Sequence, residues 1–166
     1  MKLTSKAFID NGTIPVKYTG EGQDITPPLE WSEVPKECHE FVLICEDPDA
    51  PKRKGKEHPF VHWVIYNISP SVSLIPEGLP LNDRIDVPIR ADQGKNSFGK
   101  IGYGGPLPPV GHGVHRYIFT LYSLDTELAV PPGASKAELE KAMQGHILDS
   151  VGLTGKYERK SKEKVA

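Results

Sequence analysis

No stretch of this chain reaches the ~18 consecutive apolar residues that a membrane-spanning helix needs. Its N-terminus, Met1 to Lys6, carries charge with no apolar segment behind it, and so reads as lacking a secretory signal. Cysteine is nearly missing, with only Cys38 and Cys45. In the absence of an export signal both are expected as reduced thiols in a cytoplasm, with Cys45 packed as a small core residue inside an apolar run. Their spacing matches no zinc site. A charge excess is missing too, since 20 Lys and Arg stand against 22 Asp and Glu, a formal net charge of -2. That balance removes any general attraction to nucleic acid or to an anionic membrane surface.

Proline and glycine, by contrast, are plentiful, with 16 of each dispersed through 166 residues. Such dispersal means many turns rather than low complexity. With 37% hydrophobic and 25% charged residues, the chain is expected to fold as one domain over 1–166, with no repeat and no linker. The basic segment 155–166 is expected to be a flexible tail.

Helical periodicity is scarce, and strands dominate. Phe41–Cys45, Val61–Ile68 and Tyr117–Leu124 are rich in β-branched and aromatic residues and apolar on both faces, as strands in the middle of a covered sheet are. Shorter candidates lie near Thr4–Phe8 and Leu29–Ser32. One helix has a clear start, because Ser135 and Glu138 form a capping box. Leu139, Ala142, Met143, Ile147 and Leu148 follow at helical spacing, with Gly152 as the expected stop. A single helix leaves few parallel crossovers, so the sheet should be mostly antiparallel.

Three clusters hold the unusual residues. The first is Asp47-Pro48-Asp49-Ala50-Pro51, a stiff turn directly after a strand. The second is His62 beside Trp63, where strict alternation groups His62 with Val64 and Tyr66 and sends Trp63 and Ile65 to the other face. The third runs from Gly102 to Tyr117, a glycine- and proline-rich loop whose exposed amides could form an anion-binding nest. At its end His115 and Tyr117 share a face, while Arg116 points away and is expected in a structural ion pair.

Several chemistries find no support. No helix follows the glycine loop, no Gly-Lys-Ser/Thr occurs, and no Gly-x-Ser-x-Gly elbow or serine beside the histidines is present. His112 and His115 are too few ligands for a zinc site, so neither a metal nor another cofactor is expected.

In this order, Asp47-Pro48-Asp49-Ala50-Pro51, His62, and Gly113-Val114-His115-Arg116-Tyr117 resemble the signatures of the phosphatidylethanolamine-binding protein family, which includes the Raf kinase inhibitor proteins. The Gly104-Gly105-Pro106 to Pro108-Pro109 version of the loop is similar to the bacterial and archaeal branch. The resemblance implies a mainly β fold, a large antiparallel central sheet packed on a smaller one with a few peripheral helices. It also implies a small pocket for phosphate-like or carboxylate anions, containing Asp47, His62, Pro109, His115 and Tyr117. Asp49 would support the turn, with Tyr103 and Gly105 at the rim. Asp47 would orient a histidine, so that His62 or His115 presents N–H donors to the anion. Lacking an identifiable nucleophile, the chain reads as a binding protein rather than an enzyme. Relatives that inhibit kinases or a carboxypeptidase, and others that dimerise, make a protein partner and a homodimer further expectations. A phosphoester or ester hydrolase using His115 and Asp47 is the third alternative.

Overall fold

The computed structural model describes residues 1–161. Ten strands form two sheets. The smaller one joins β1 (Lys2–Thr4), β3 (Leu29–Ser32) and β6 (Leu74–Ile75) in the order β1-β3-β6. The larger contains β2 (Gly12–Thr13), β4 (Glu40–Asp47), β5 (Phe60–Ile68), β7 (Arg84–Ile85), β8 (Ala91–Gln93), β9 (His115–Leu124) and β10 (Ile147–Tyr157). Their order is β2-β10-β9-β4-β5-β8-β7, antiparallel except where β2 lies parallel to β10. The fold is therefore mainly β, as expected.

The three strongest sequence strands sit side by side as β5, β4 and β9 at the middle of the large sheet. Trp63, Phe41, Leu43, Phe119 and Leu121 meet Leu3, Leu29, Trp31 and Ile75 of the small sheet in the main core. Val42, Ile44, Val64 and Tyr66 point to the other face and pack with Leu139 and Met143 of α1 (Lys136–Met143). Both faces of these strands are thus covered, which is why their sequences are continuously apolar. Only β9 departs, since Ile118, Thr120 and Tyr122 on its second face are half-buried.

Four expectations need correction. Helix α1 begins as anticipated, with Ser135 Oγ accepting from the Glu138 N–H at 3.2 Å. It stops at Met143 and not at Gly152, because Gln144 leaves the helical region and Gly145 follows at φ 80°. Ile147 and Leu148 consequently open β10, where they lie exposed. The flexible tail expected from 155 does not begin there: Gly155–Tyr157 pair with His115–Tyr117, and Tyr157 is buried. Residues 162–166 lie outside the described residues. The first strand is Lys2–Thr4 rather than Thr4–Phe8, because Ser5 Oγ takes the Ala7 N–H and turns the chain. In place of a few helices, the described residues hold α1 and one 3-10 turn, Val16–Tyr18.

Candidate functional site

Strands β4 and β9 run antiparallel, so the last residue of one lies near the first of the other. This places Asp47, at the end of β4, against His115, at the start of β9, with Oδ2 and Nδ1 2.6 Å apart. Both side chains are buried. Tyr117, two residues on, shares the His115 face, and its hydroxyl bonds to no group among the described residues. Its phenol is pushed far above its usual range by burial and by Asp47, so it remains a neutral donor.

His62 reaches the same face by an irregularity. Pairing between β4 and β5 steps from Cys45↔Trp63 to Glu46↔Val61, so an extra residue, His62, is accommodated on β5. A bulge of this kind re-aims side chains. Val61 consequently joins Val64 in the helix-side core, while the His62 ring meets Tyr117 edge-on at 5.0 Å. Strict alternation had grouped His62 with Val64 and Tyr66; the bulge overturns that grouping.

The His62 Nδ1 lies 2.6 Å from the Gly104 carbonyl. A carbonyl only accepts, so Nδ1 carries the proton, and Nε2 of the neutral ring holds a lone pair. Burial lowers the His62 pKa and keeps that neutral form. His115 is equally committed, with Nδ1 on Asp47 and Nε2 2.6 Å from His112 Nδ1. Neither imidazole therefore holds a free N–H ready for an anion, contrary to the expectation from sequence.

These groups line a cavity of about 540 Å³ that also contains Pro109. Phe60, Phe98, Leu107 and Pro108 make much of its wall apolar, and Arg53 and Lys56 contribute cations. Phe60 and Phe98 pack against the His62 ring with centroids 4.9 and 5.6 Å away. Asn96, Ser97 and Glu57 complete the polar lining. Ser97 Oγ donates to Glu57 at 2.5 Å and accepts from the Val61 N–H, so a serine does share the cavity with the histidines. Reading along the chain missed Asn96, Ser97 and Phe98 because their loop is remote from β4 and β5 in sequence, and missed Arg53, Lys56, Glu57 and Phe60 because the connection between the motifs has no regular pattern of its own. The one available signal was the basic run Lys52-Arg53-Lys54-Gly55-Lys56.

Three residues expected at the site lie outside the cavity lining. Asp49 accepts from Arg116, on the opposite side of β9 from His115, and this pair draws its carboxyl down to about 2. Tyr103 is buried under Trp63, with its hydroxyl donating to the Tyr18 carbonyl at 2.6 Å. Gly105 donates its N–H to Asp24 at 2.7 Å. The amides of Gly102, Gly104, Gly111 and His112 are also bonded to carbonyl groups. The glycine loop thus spends these amides on its own scaffold and not on a nest. Among the described residues, no three His, Cys, Asp or Glu side chains gather as a metal site, and no helix is long and apolar enough to cross a membrane.

A family model described as phosphatidylethanolamine-binding protein matches residues 4–158. This chain belongs to the phosphatidylethanolamine-binding protein family. Within the family it is 51% identical over 156 residues to a UPF0098 protein of Pyrococcus horikoshii, covering 94% of this chain and 76% of that one. A UPF0098 protein of Methanothermobacter thermautotrophicus is 46% identical over 159 residues, covering 96% and 99%. Among solved structures, a phosphatidylethanolamine-binding protein homologue of Chlamydia trachomatis superposes with a TM-score of 0.84 at 43% identity, covering 95% of this chain and 96% of that one. YbcL of E. coli, a member of the mammalian PEBP family by its description, superposes at 0.83 with 31% identity, covering 95% and 97%. The matched span contains Asp47, His62, His115 and Tyr117, which the fold brings together around the cavity.

Proposed function

We propose that this cavity binds a small anion, a phosphoryl or carboxylate group joined to an apolar substituent, and that the protein works by binding, in a regulatory capacity, rather than by catalysis. The observation that carries this reading is the convergence on one apolar-walled cavity of the Tyr117 hydroxyl, two imidazoles, Arg53 and Lys56. An anion entering there meets a neutral phenol donor and two cationic side chains. Each imidazole becomes a donor by taking up a proton as the anion arrives, and Asp47 stabilises the imidazolium of His115. Charge-assisted hydrogen bonds of this type are the strong ones. Phe60, Phe98 and Leu107 then cover the apolar part of the ligand.

A hydrolase reading draws on one observation, Ser97 within the cavity. Its hydroxyl already donates to Glu57 and accepts from Val61, and it bonds to no imidazole. That arrangement differs from a serine activated by histidine, and binding is the better account. The test is titration calorimetry with sulfate. His115→Ala should weaken binding by roughly 1.5–3 kcal/mol, the range for a hydrogen bond to a charged group. Unaltered affinity would rule out the site, and turnover of a phosphoester or ester that disappears in Asp47→Asn would replace the binding reading with the enzyme.

A further inference from the structure

Asp47 and His112 between them occupy both nitrogens of His115. The first holds Nδ1 at 2.6 Å and the second holds Nε2 at 2.6 Å. The Asp47 contact is buried and joins two central strands, so Nε2 is the only atom His115 has to offer a ligand. Whichever ring carries the shared proton, that nitrogen is engaged while His112 stays in place. His112 itself is exposed and sits between Gly111 at φ 74° and Gly113 at φ 90°. Ideal Cβ atoms on both glycines would meet nothing within 4 Å, so open space flanks each. The two rings touch edge-on, 4.8 Å between centroids, without further cover from a packed core.

We propose that His112 is an internal competitor for the anion, a residue that sets the affinity of the site by holding the His115 Nε2 until a ligand displaces it. The inference rests on the anion-binding reading above. Binding then involves exchange of one hydrogen bond for another: the His112–His115 bond breaks, His115 Nε2 takes up a proton from solvent and donates through it to the anion, and the exposed His112 ring swings outward. The bond broken joins one imidazole to another, while the bond formed reaches an anion and is charge-assisted, so the exchange runs toward the ligand. A stronger internal partner would close the site, and none at all would leave it permanently open.

Sulfate titrations of the full chain test this. His112→Ala should bind sulfate several-fold tighter, up to about tenfold, the equivalent of one neutral hydrogen bond removed from the competition. His112→Asn, which keeps an N–H donor near the position of Nδ1, should return toward the wild-type affinity. In parallel, ¹⁵N spectra of the imidazoles should show His112 Nδ1 shifting when sulfate is added to the wild type. Weaker binding in His112→Ala would make His112 a ligand contact, and unaltered binding would make it a bystander; either result overturns the proposal. If neither protein binds sulfate, the anion site itself falls, and the competitor with it. The ¹⁵N spectra separate that case, because a His115 Nε2 resonance altered by His112→Ala still registers the pairing.

Discussion

Arg116 grips Asp49 from the side of β9 opposite to His115, through its backbone N–H at 2.9 Å, Nε at 3.0 Å and a terminal nitrogen at 2.9 Å. His115 holds Asp47 on the other side. Two adjacent residues of β9 thus fasten the last residue of β4 and an acid of the turn that follows, one pair facing the cavity and the other facing solvent.

Arg116→Gln should therefore lower stability to urea and leave sulfate affinity unchanged. The pair is solvent-exposed on the arginine side, so the loss is modest. Its acid dependence has a definite sign. Hydrogen bonds from Arg116 depress the Asp49 carboxyl to about 2, so its contribution is present above the ordinary carboxylate pKa and fades as pH falls toward about 2. Urea melts of both proteins between neutral and acid pH should converge at the acid end. A loss of sulfate binding in Arg116→Gln would show that the two faces of β9 had been assigned wrongly.

Sulfate should bind more tightly at pH 6 than at pH 8. Its charge is constant over that range, so the change reports protein groups alone. His62 has its Nδ1–H on the Gly104 carbonyl and offers an anion a donor only once Nε2 is protonated, and burial holds it below its ordinary pKa. Tyr117, raised far above its usual range, stays neutral throughout. Calorimetry in two buffers of different ionisation enthalpy should detect proton uptake on binding. Affinity independent of pH, with no protons taken up, would leave the histidines without a part in recognition.

Glu40 is a buried acid in the fold's other half, and its carboxyl accepts the Leu128 N–H at 2.9 Å. Burial, reinforced by Glu127 and Asp92, raises its pKa to about 7. The sign is opposite to that of Asp49. Folding favours the protonated form, so this group's contribution is greatest below the unfolded carboxylate range and is lost as pH rises through about 7. Glu40→Gln keeps the oxygen that accepts from Leu128 but cannot ionise. Its stability should gain on the wild type by roughly 1–3 kcal/mol at pH 8, the order of a buried uncompensated charge after relaxation, with little difference near pH 4. Parallel pH–stability profiles for the two proteins would argue against this assignment.

Gly105→Ala distinguishes a scaffold from a ligand contact. An added Cβ would stand 2.4 Å from the Tyr18 carbonyl oxygen and 2.5 Å from Asp24 Oδ1, the acceptor of the Gly105 N–H. The loop must shift, at a cost of about 1–3 kcal/mol as in other overpacked positions. Thermal denaturation should show that loss. A variant of native stability with abolished sulfate binding would instead return Gly105 to the rim of the site.

Local chemistry was enough for the parts of this protein that depend on neighbours in sequence. β-Branched and aromatic runs marked β4, β5 and β9, since such side chains suit a pleated sheet covered on both faces. Ser135 and Glu138 marked the start of α1 because a capping bond spans only one turn. Alternation alone separated His115 and Tyr117 from Arg116. Other features required a partner strand. Ile147–Tyr157 contains Asp149, Ser150, Gly152 and Gly155, a poor strand by composition; pairing along β9 makes it one. His62 lies opposite a register step in β4, and a bulge is a property of two strands together. Ser97 and Phe98 entered the site because a loop remote from β4 and β5 in sequence closes over one end of the sheet. The sequence carried the identities of Asp47, His62, His115 and Tyr117, whereas the direction of each nitrogen, and the loop histidine that holds one of them, were settled only by tertiary packing, because a hydrogen bond selects its partner in space.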